Sequence, residues 1–277
     1  KPGVNVFIKK SIFFNYISIS YHKKLWYDKK KFKGNDMRLD VLLSRVHVSR
    51  KKMKQALLKK EILVDHSPAR KLSQNVDTGL QTITIKKQPI FINSHQYFMM
   101  NKPPGVVTAN SDRKHQTVLD LIRPEDFNEH LYSVGRLDRD TSGLLLITDN
   151  GPLGFQLLHP QYHIAKTYEV EVNGLLDNQM IKAFQKGIVF LDGTICKPAL
   201  LTIHSSTPNK STATVTISEG KFHQIKKMFL TVGVKVLSLK RTHFGAFELD
   251  QNLAAGEYRA LNQTELEKVK QYLEKSY

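Results

Sequence analysis

A short polar loop that runs without a break into an apolar strand sets the strongest limit on how this chain can fold. The stretch is Gly135-Arg136-Leu137-Asp138-Arg139-Asp140-Thr141-Ser142-Gly143, followed by Leu144-Leu145-Leu146-Ile147. Glycines bound the loop and charges crowd it, so it belongs at the surface. The apolar run reads as a buried strand. This layout can set one carboxylate, Asp138, at the mouth of a cleft while the strand anchors it in the core. Taken alone, Asp138 and Asp140 read equally well as turn caps, because Asp accepts backbone hydrogen bonds two or three residues on.

Charge narrows the partner. The 277 residues carry 42 Lys and Arg against 25 Asp and Glu, a formal net charge of +17. So basic a balance suggests a polyanion, since each neutralised phosphate releases counterions. It does not separate RNA from DNA or an anionic membrane. One cysteine, Cys196, excludes an internal disulfide and a multi-cysteine zinc site. It is expected as a half-buried thiol in a reducing compartment. No pair among His159, His163, His204, His223 and His243 has a zinc-like arrangement with carboxylates or thiols, so no metal and no cofactor is expected.

Residues 1–36 hold nine lysines against Asp28 and Asp36. Their apolar run, residues 11–20, is broken by Asn15 and lacks a small-residue cleavage site. It makes a poor signal peptide and is too short to span a bilayer. Met37 opens a clean amphipathic pattern and is read as the natural start, with residues 1–36 an extension; a basic RNA-gripping tail is the alternative.

From residue 37 to 86 the pattern is that of a small α/β module. Leu39, Leu42, Leu43 and Val46 recur at helical spacing. Ser49 suits the N-cap of a second helix running to Lys60, with Met53, Ala56 and Leu57 on one face. Short strands are predicted at residues 62–64 and 82–85. The second helix carries Arg50, Lys51, Lys52, Lys54, Lys59 and Lys60, either a solvated face or an RNA-gripping one. Residues 87–96 read as a linker, and 97–277 as a second domain. Strands are predicted there at residues 97–100, 144–148, 167–172, 200–204, 212–218 and 234–239. Helices are predicted at 117–123, 154–159, 178–187, 222–231 and 264–275. Strands in runs with scattered helices indicate an α+β fold with a mixed, largely antiparallel sheet flanked by helices.

Four segments carry candidate chemistry. Asn101-Lys102-Pro103-Pro104-Gly105-Val106-Val107 must turn, because two prolines and a glycine end β pairing. The loop at Arg136-Leu137-Asp138 comes second. The third is Lys166-Thr167-Tyr168, which opens an alternating strand and in which Tyr168 also reads as a core aromatic. The fourth is Glu219-Gly220-Lys221-Phe222-His223-Gln224-Ile225-Lys226-Lys227-Met228-Phe229. There Ile225, Met228, Phe229 and Val232 mark a buried helix face, leaving Lys221, His223, Lys226 and Lys227 to solvent or a cleft.

These segments together resemble the motifs of pseudouridine synthases, above all the RsuA-type branch that modifies ribosomal RNA. Arg38-Leu39-Asp40, Leu43, Ser49-Arg50 and the basic helix resemble the αL RNA-binding module first seen in a ribosomal small-subunit protein. The second resemblance covers about 50 residues, and the two together run from Met37 nearly to the end. They imply that Asp138 is catalytic, that Arg136 fills the space left by the extruded base, and that Tyr168 lies against the flipped uracil with its hydroxyl able to serve proton transfer. They imply a basic residue at Lys226 paired with Asp138, which would keep the carboxylate ionised. Lys102, Arg38, Ser49, Arg50, Lys54, Lys221, His223 and Lys227 are expected at RNA; His223 is open to a base role but fits a structural or RNA-contacting one better. Asp140 is expected as a surface residue.

The implied reaction isomerises one uridine of small-subunit ribosomal RNA to pseudouridine by a cytoplasmic, monomeric bacterial enzyme with no membrane partner. The form of the fourth segment and Leu239-Lys240-Arg241 favour the small subunit. Rivals are the same chemistry on large-subunit RNA and a ribosome-assembly protein without turnover. An unrelated glycosidase would need a second cleft carboxylate, for which Asp140 and Glu219 lack context.

Overall fold

The computed structural model describes residues 38–90 and 95–274. The readings placed on residues 1–36, Met37, part of the linker and Lys275 lie outside the described residues. The first described element, α1 (Leu39–Arg45), is followed by α2 (Arg50–Leu58). Both pack on a small antiparallel sheet of β1 (Ile62–Val64), β2 (Ser67–Pro68), β3 (Ile83–Ile85) and β4 (Gln88–Pro89), in the order β2-β1-β3-β4. Leu39, Leu42, Leu43, Met53, Ala56, Ile62 and Ile83 form its core. Val46 does not join them: α1 ends at Arg45, and Val46, its C-cap, is exposed. Ser49 occupies the N-cap of α2 with extended backbone, but its hydroxyl makes no capping hydrogen bond.

The second sheet is larger. It contains β5 (Tyr97–Lys102), β6 (Tyr132–Val134), β7 (Ser142–Thr148), β8 (Lys166–Val172), β9 (Leu200–Ser206), β10 (Ser211–Ile217), β11 (Val236–Phe244), β12 (Phe247–Glu248) and β13 (Tyr258–Ala260). The main order is β13-β5-β7-β11-β8-β10-β9, with β6 beside β7 and β12 beside β11. Every pairing is antiparallel except that of β7 with β11, where Lys240 lies opposite Ser142 and Arg241 opposite Gly143. The fold is α+β.

That parallel seam divides two hydrophobic regions. On one side, α3 (Gly151–Leu158) and α6 (Gln263–Glu274) cover one face of β5 and β7, burying Met99, Leu144, Leu146, Leu157 and Val269. The opposite face of the same strands packs Phe98, Met100, Leu145 and Ile147 on Val118 and Leu119. Burial on both faces explains why β7 reads as an unbroken apolar run. On the other side, α4 (Asn178–Lys186) and α5 (Gln224–Thr231) pack Phe184, Met228 and Phe229 against Val170, Val172, Ala213 and Val215. Cys196 is fully inside this region and unbonded, more buried than the half-buried thiol expected.

Local differences from the sequence reading have clear causes. The helix expected at residues 117–123 is a single 3₁₀ turn, Leu119–Leu121. Thr117 and Asp120 cap each other's backbone amides, and Pro124 forces the preceding chain into extended conformation. Strands β5 and β11 both end later than expected, at Lys102 and Phe244, and each carries a buried cation, Lys102 or Arg241, that donates to backbone carbonyls. The small module also touches the larger one. Lys270 of α6 pairs with Asp65 at 2.6 Å, and the Tyr97 hydroxyl donates to the buried Asp77.

Candidate active site

The loop between β6 and β7 starts with Gly135, whose φ of +79° suits glycine. It is held from the side by the Asn101–Val107 turn. Gly105 donates its amide to the Arg139 carbonyl at 2.7 Å, and the Thr108 hydroxyl donates to the Leu137 carbonyl at 2.8 Å. Beneath both segments lies Lys102, 0% exposed, donating to the carbonyls of Pro103, Arg139 and Thr141 at 3.0, 3.3 and 2.8 Å. Burial pushes its ammonium down to about 8. The expectation that Lys102 meets an RNA phosphate is therefore wrong; its three hydrogen bonds are spent fixing the loop.

Leu137 points into the core, which turns the half-buried Asp138 outward into a cleft of about 690 Å³. Tyr168 of β8 forms part of its wall. The cleft also takes in Lys166, which shares a face of β8 with Tyr168 because strand side chains alternate. Opposite stands α5. Its N-cap, His223, adopts the left-handed conformation with φ of +52°, and Gln224 steadies the approach by accepting from the Lys221 amide at 2.9 Å and donating to Glu219 at 2.7 Å.

One turn into α5, Lys226 Nζ lies 3.0 Å from Asp138 Oδ2 and 2.5 Å from Asp140 Oδ1. Partial burial alone would lower its ammonium, but the hydrogen bonds it donates to the two carboxylates outweigh that and hold it above its ordinary value. The same hydrogen bond holds the Asp140 carboxyl below its ordinary value. His223 Nε2 is 3.6 Å from Asp138 Oδ1. The result is a carboxylate facing open space while its other side is neutralised.

The remaining candidates divide. Arg136 is exposed on the cleft wall, its guanidinium unpaired among the described residues. Lys221 is tied to Glu219, and Lys227 lies 3.9 Å from Asp192 with its ammonium over the Phe190 and Phe222 rings. Arg38 grips Asp40 through two hydrogen bonds, at 2.8 and 3.1 Å, whereas Arg50 and Lys54 project from α2 into solvent beside the exposed Ser49. The sequence reading missed Lys166 and Arg241 as cleft residues. Burial, with the charge of Arg241, pushes Lys166 down to about 8. Arg241 is 1% exposed, donating to the Leu144 carbonyl at 2.8 Å. The period-two pattern of β8 with Tyr168 was the available signal for Lys166; nothing in the sequence marks Arg241 as buried.

Among the described residues no helix is long and apolar enough to cross a membrane. Residues 96–231 match the family model described as RNA pseudouridylate synthase. The chain is 39% identical over 231 residues to an uncharacterized RNA pseudouridine synthase of Bacillus subtilis, covering 83% of this chain and 97% of that one. It is 36% identical over 239 residues to ribosomal small subunit pseudouridine synthase A of Yersinia pestis, covering 84% and 98%. A crystal structure of a pseudouridylate synthase matches with a TM-score of 0.59 and 32% identity, covering 84% of this chain and 99% of that one. The chain belongs to the RNA pseudouridine synthases, in their RsuA-type branch, and is an isomerase.

Proposed function

We propose that this enzyme converts one uridine of bacterial small-subunit ribosomal RNA to pseudouridine in the cytoplasm, with Asp138 as the catalytic carboxylate. The observation that carries the reading is the position of Asp138: at the open cleft that Tyr168 helps to wall, with Lys226 at 3.0 Å behind it. The isomerisation breaks the N1–C1′ bond, rotates the uracil and joins C5 to C1′. It needs a group that stabilises positive charge at C1′, adds covalently, or accepts a proton, and an ionised carboxylate suits each.

The cleft accommodates a flipped nucleotide. Tyr168 supplies a face for the uracil and Arg136 an unpaired cation to enter the emptied stack. Together with backbone contacts they offset an extrusion that costs a few kcal/mol. Residues 38–86 act as the αL-type module, with Arg50 and Lys54 beside phosphates and the catalytic residues 97–277 reaching the uridine. The small-subunit assignment rests on relatives such as the Yersinia pestis protein, whose name specifies that substrate.

Mapping pseudouridine after incubation with under-modified small- and large-subunit RNA tests the reading. One new pseudouridine in the small-subunit RNA is expected, and none with Asp138→Asn, whose RNA affinity should be retained. Turnover near wild type in that variant would overturn the assignment of Asp138.

A further inference from the structure

Phe222 is 70% exposed, an unusual setting for a large aromatic beside a catalytic cleft. Its ring stacks on His223, with centroids 3.9 Å apart and planes 18° apart, and His223 in turn approaches Asp138 at 3.6 Å. Lys227 Nζ lies 5.8 Å from the Phe222 centroid. The neighbouring 188–196 hairpin, closed by a bridge between Val189 and Ile195, exposes both of these side chains and places Leu191 fully in solvent.

We propose that Phe222, on the lining of the cleft, is a stacking platform for the unpaired base immediately flanking the target uridine, forming a second nucleotide subsite at the rim. The inference rests on the proposed RNA substrate. A ring already stacked on one side offers an ordered surface that needs little further immobilisation. Base stacking on an aromatic tolerates any base and gains from a nearby cation. Lys227 supplies positive charge beside that ring, 5.8 Å from its centroid, matching the phosphates that accompany a base and not an apolar peptide. Extruding the uridine exposes the faces of its neighbours, so a platform beside the cleft captures one of them as the target leaves the helix. Because the contact concerns the flank and not the reacting atoms, it acts on binding and on the choice of sequence context.

The test uses the full chain with a small-subunit RNA fragment, in which the base on either flank is replaced in turn by an abasic nucleotide. Phe222→Ala should weaken RNA binding and raise KM on the order of tenfold with kcat little changed. Phe222→Leu should match it, and Phe222→Trp should restore wild-type values. One abasic flank should reproduce the loss, and combining it with Phe222→Ala should add nothing further. Phe222→Leu behaving as wild type, or a fully additive combination, overturns the platform. If wild type binds and modifies no ribosomal RNA, the proposed function falls with it. If wild type modifies RNA but Phe222→Ala leaves KM unchanged, only the platform falls.

Discussion

The ammonium of Lys226 lies nearer to Asp140, at 2.5 Å, than to Asp138, at 3.0 Å. One cation therefore serves two carboxylates of the same loop, one solvent-exposed and one facing the cleft. Asp140 helps keep Lys226 charged and fixes where its ammonium sits.

Removing the shared cation should be far more damaging than removing its outer partner. Lys226→Met removes the one ammonium that both carboxylates share, so kcat should fall about 100-fold or more. Asp140→Asn leaves the inner pair intact, and kcat near neutrality should stay within about threefold. It also withdraws the largest contribution raising Lys226, so the alkaline limb of the kcat profile should move to lower pH. Single-turnover rates across pH check both outcomes.

Tyr168→Phe should retain RNA affinity and lose rate if the hydroxyl serves proton transfer. A single-turnover rate equal to wild type would remove that role and leave only the ring.

Lys102→Met should slow catalysis without touching substrate, because three backbone carbonyls lose their donor and the Asp138 loop loses its floor. A loss of roughly 2–4 kcal/mol of stability is expected for several unsatisfied buried acceptors. The wild type should also grow more stable as pH rises from about 8 towards 10.5 on account of this group, since there the unfolded chain holds a proton that the folded one has released. Lys166 acts in the same direction, so the rise should shrink in Lys102→Met and not vanish. Urea titrations at pH 7.5 to 9.5 measure it.

Gly143→Ala should abolish folding or lower Tm sharply. The residue has a φ of +102°, and an added Cβ would collide with the Arg241 backbone across the β7–β11 seam. Circular dichroism melts check this, and a Tm within a few degrees of wild type would contradict the strained seam.

Reversing the charges of Arg50 and Lys54 on α2 should raise the RNA Kd and flatten its dependence on salt, with kcat unchanged at saturating RNA. Filter binding at several salt concentrations separates this from a catalytic effect.

The sequence disclosed the six longer strands of the large sheet because alternating and fully apolar runs stand out, but not β6, β12 and β13, which at two or three residues are too short to show a period. Asp138, Tyr168 and Lys226, which line one cleft, were singled out only through motif resemblance; periodicity alone allowed the first two as a cap and a core aromatic. What stayed hidden shares one cause. Lys102, Lys166 and Arg241 are cations drawn inward by backbone carbonyls or aromatic faces, and charge in a one-dimensional reading points outward. The parallel pairing of β7 with β11 was equally invisible, since register between distant strands leaves no local trace.

That parallel pairing has a kinetic meaning. Asp138 precedes β7 and Lys226 precedes β11, with nearly ninety residues of chain between them. Each half can condense around its own apolar residues, but these two side chains meet only when the distant edges zip together, a slow event in any topology rich in non-local contacts. Turnover should therefore be the last property recovered on renaturation, making catalysis itself the reporter that the molecule has been completed.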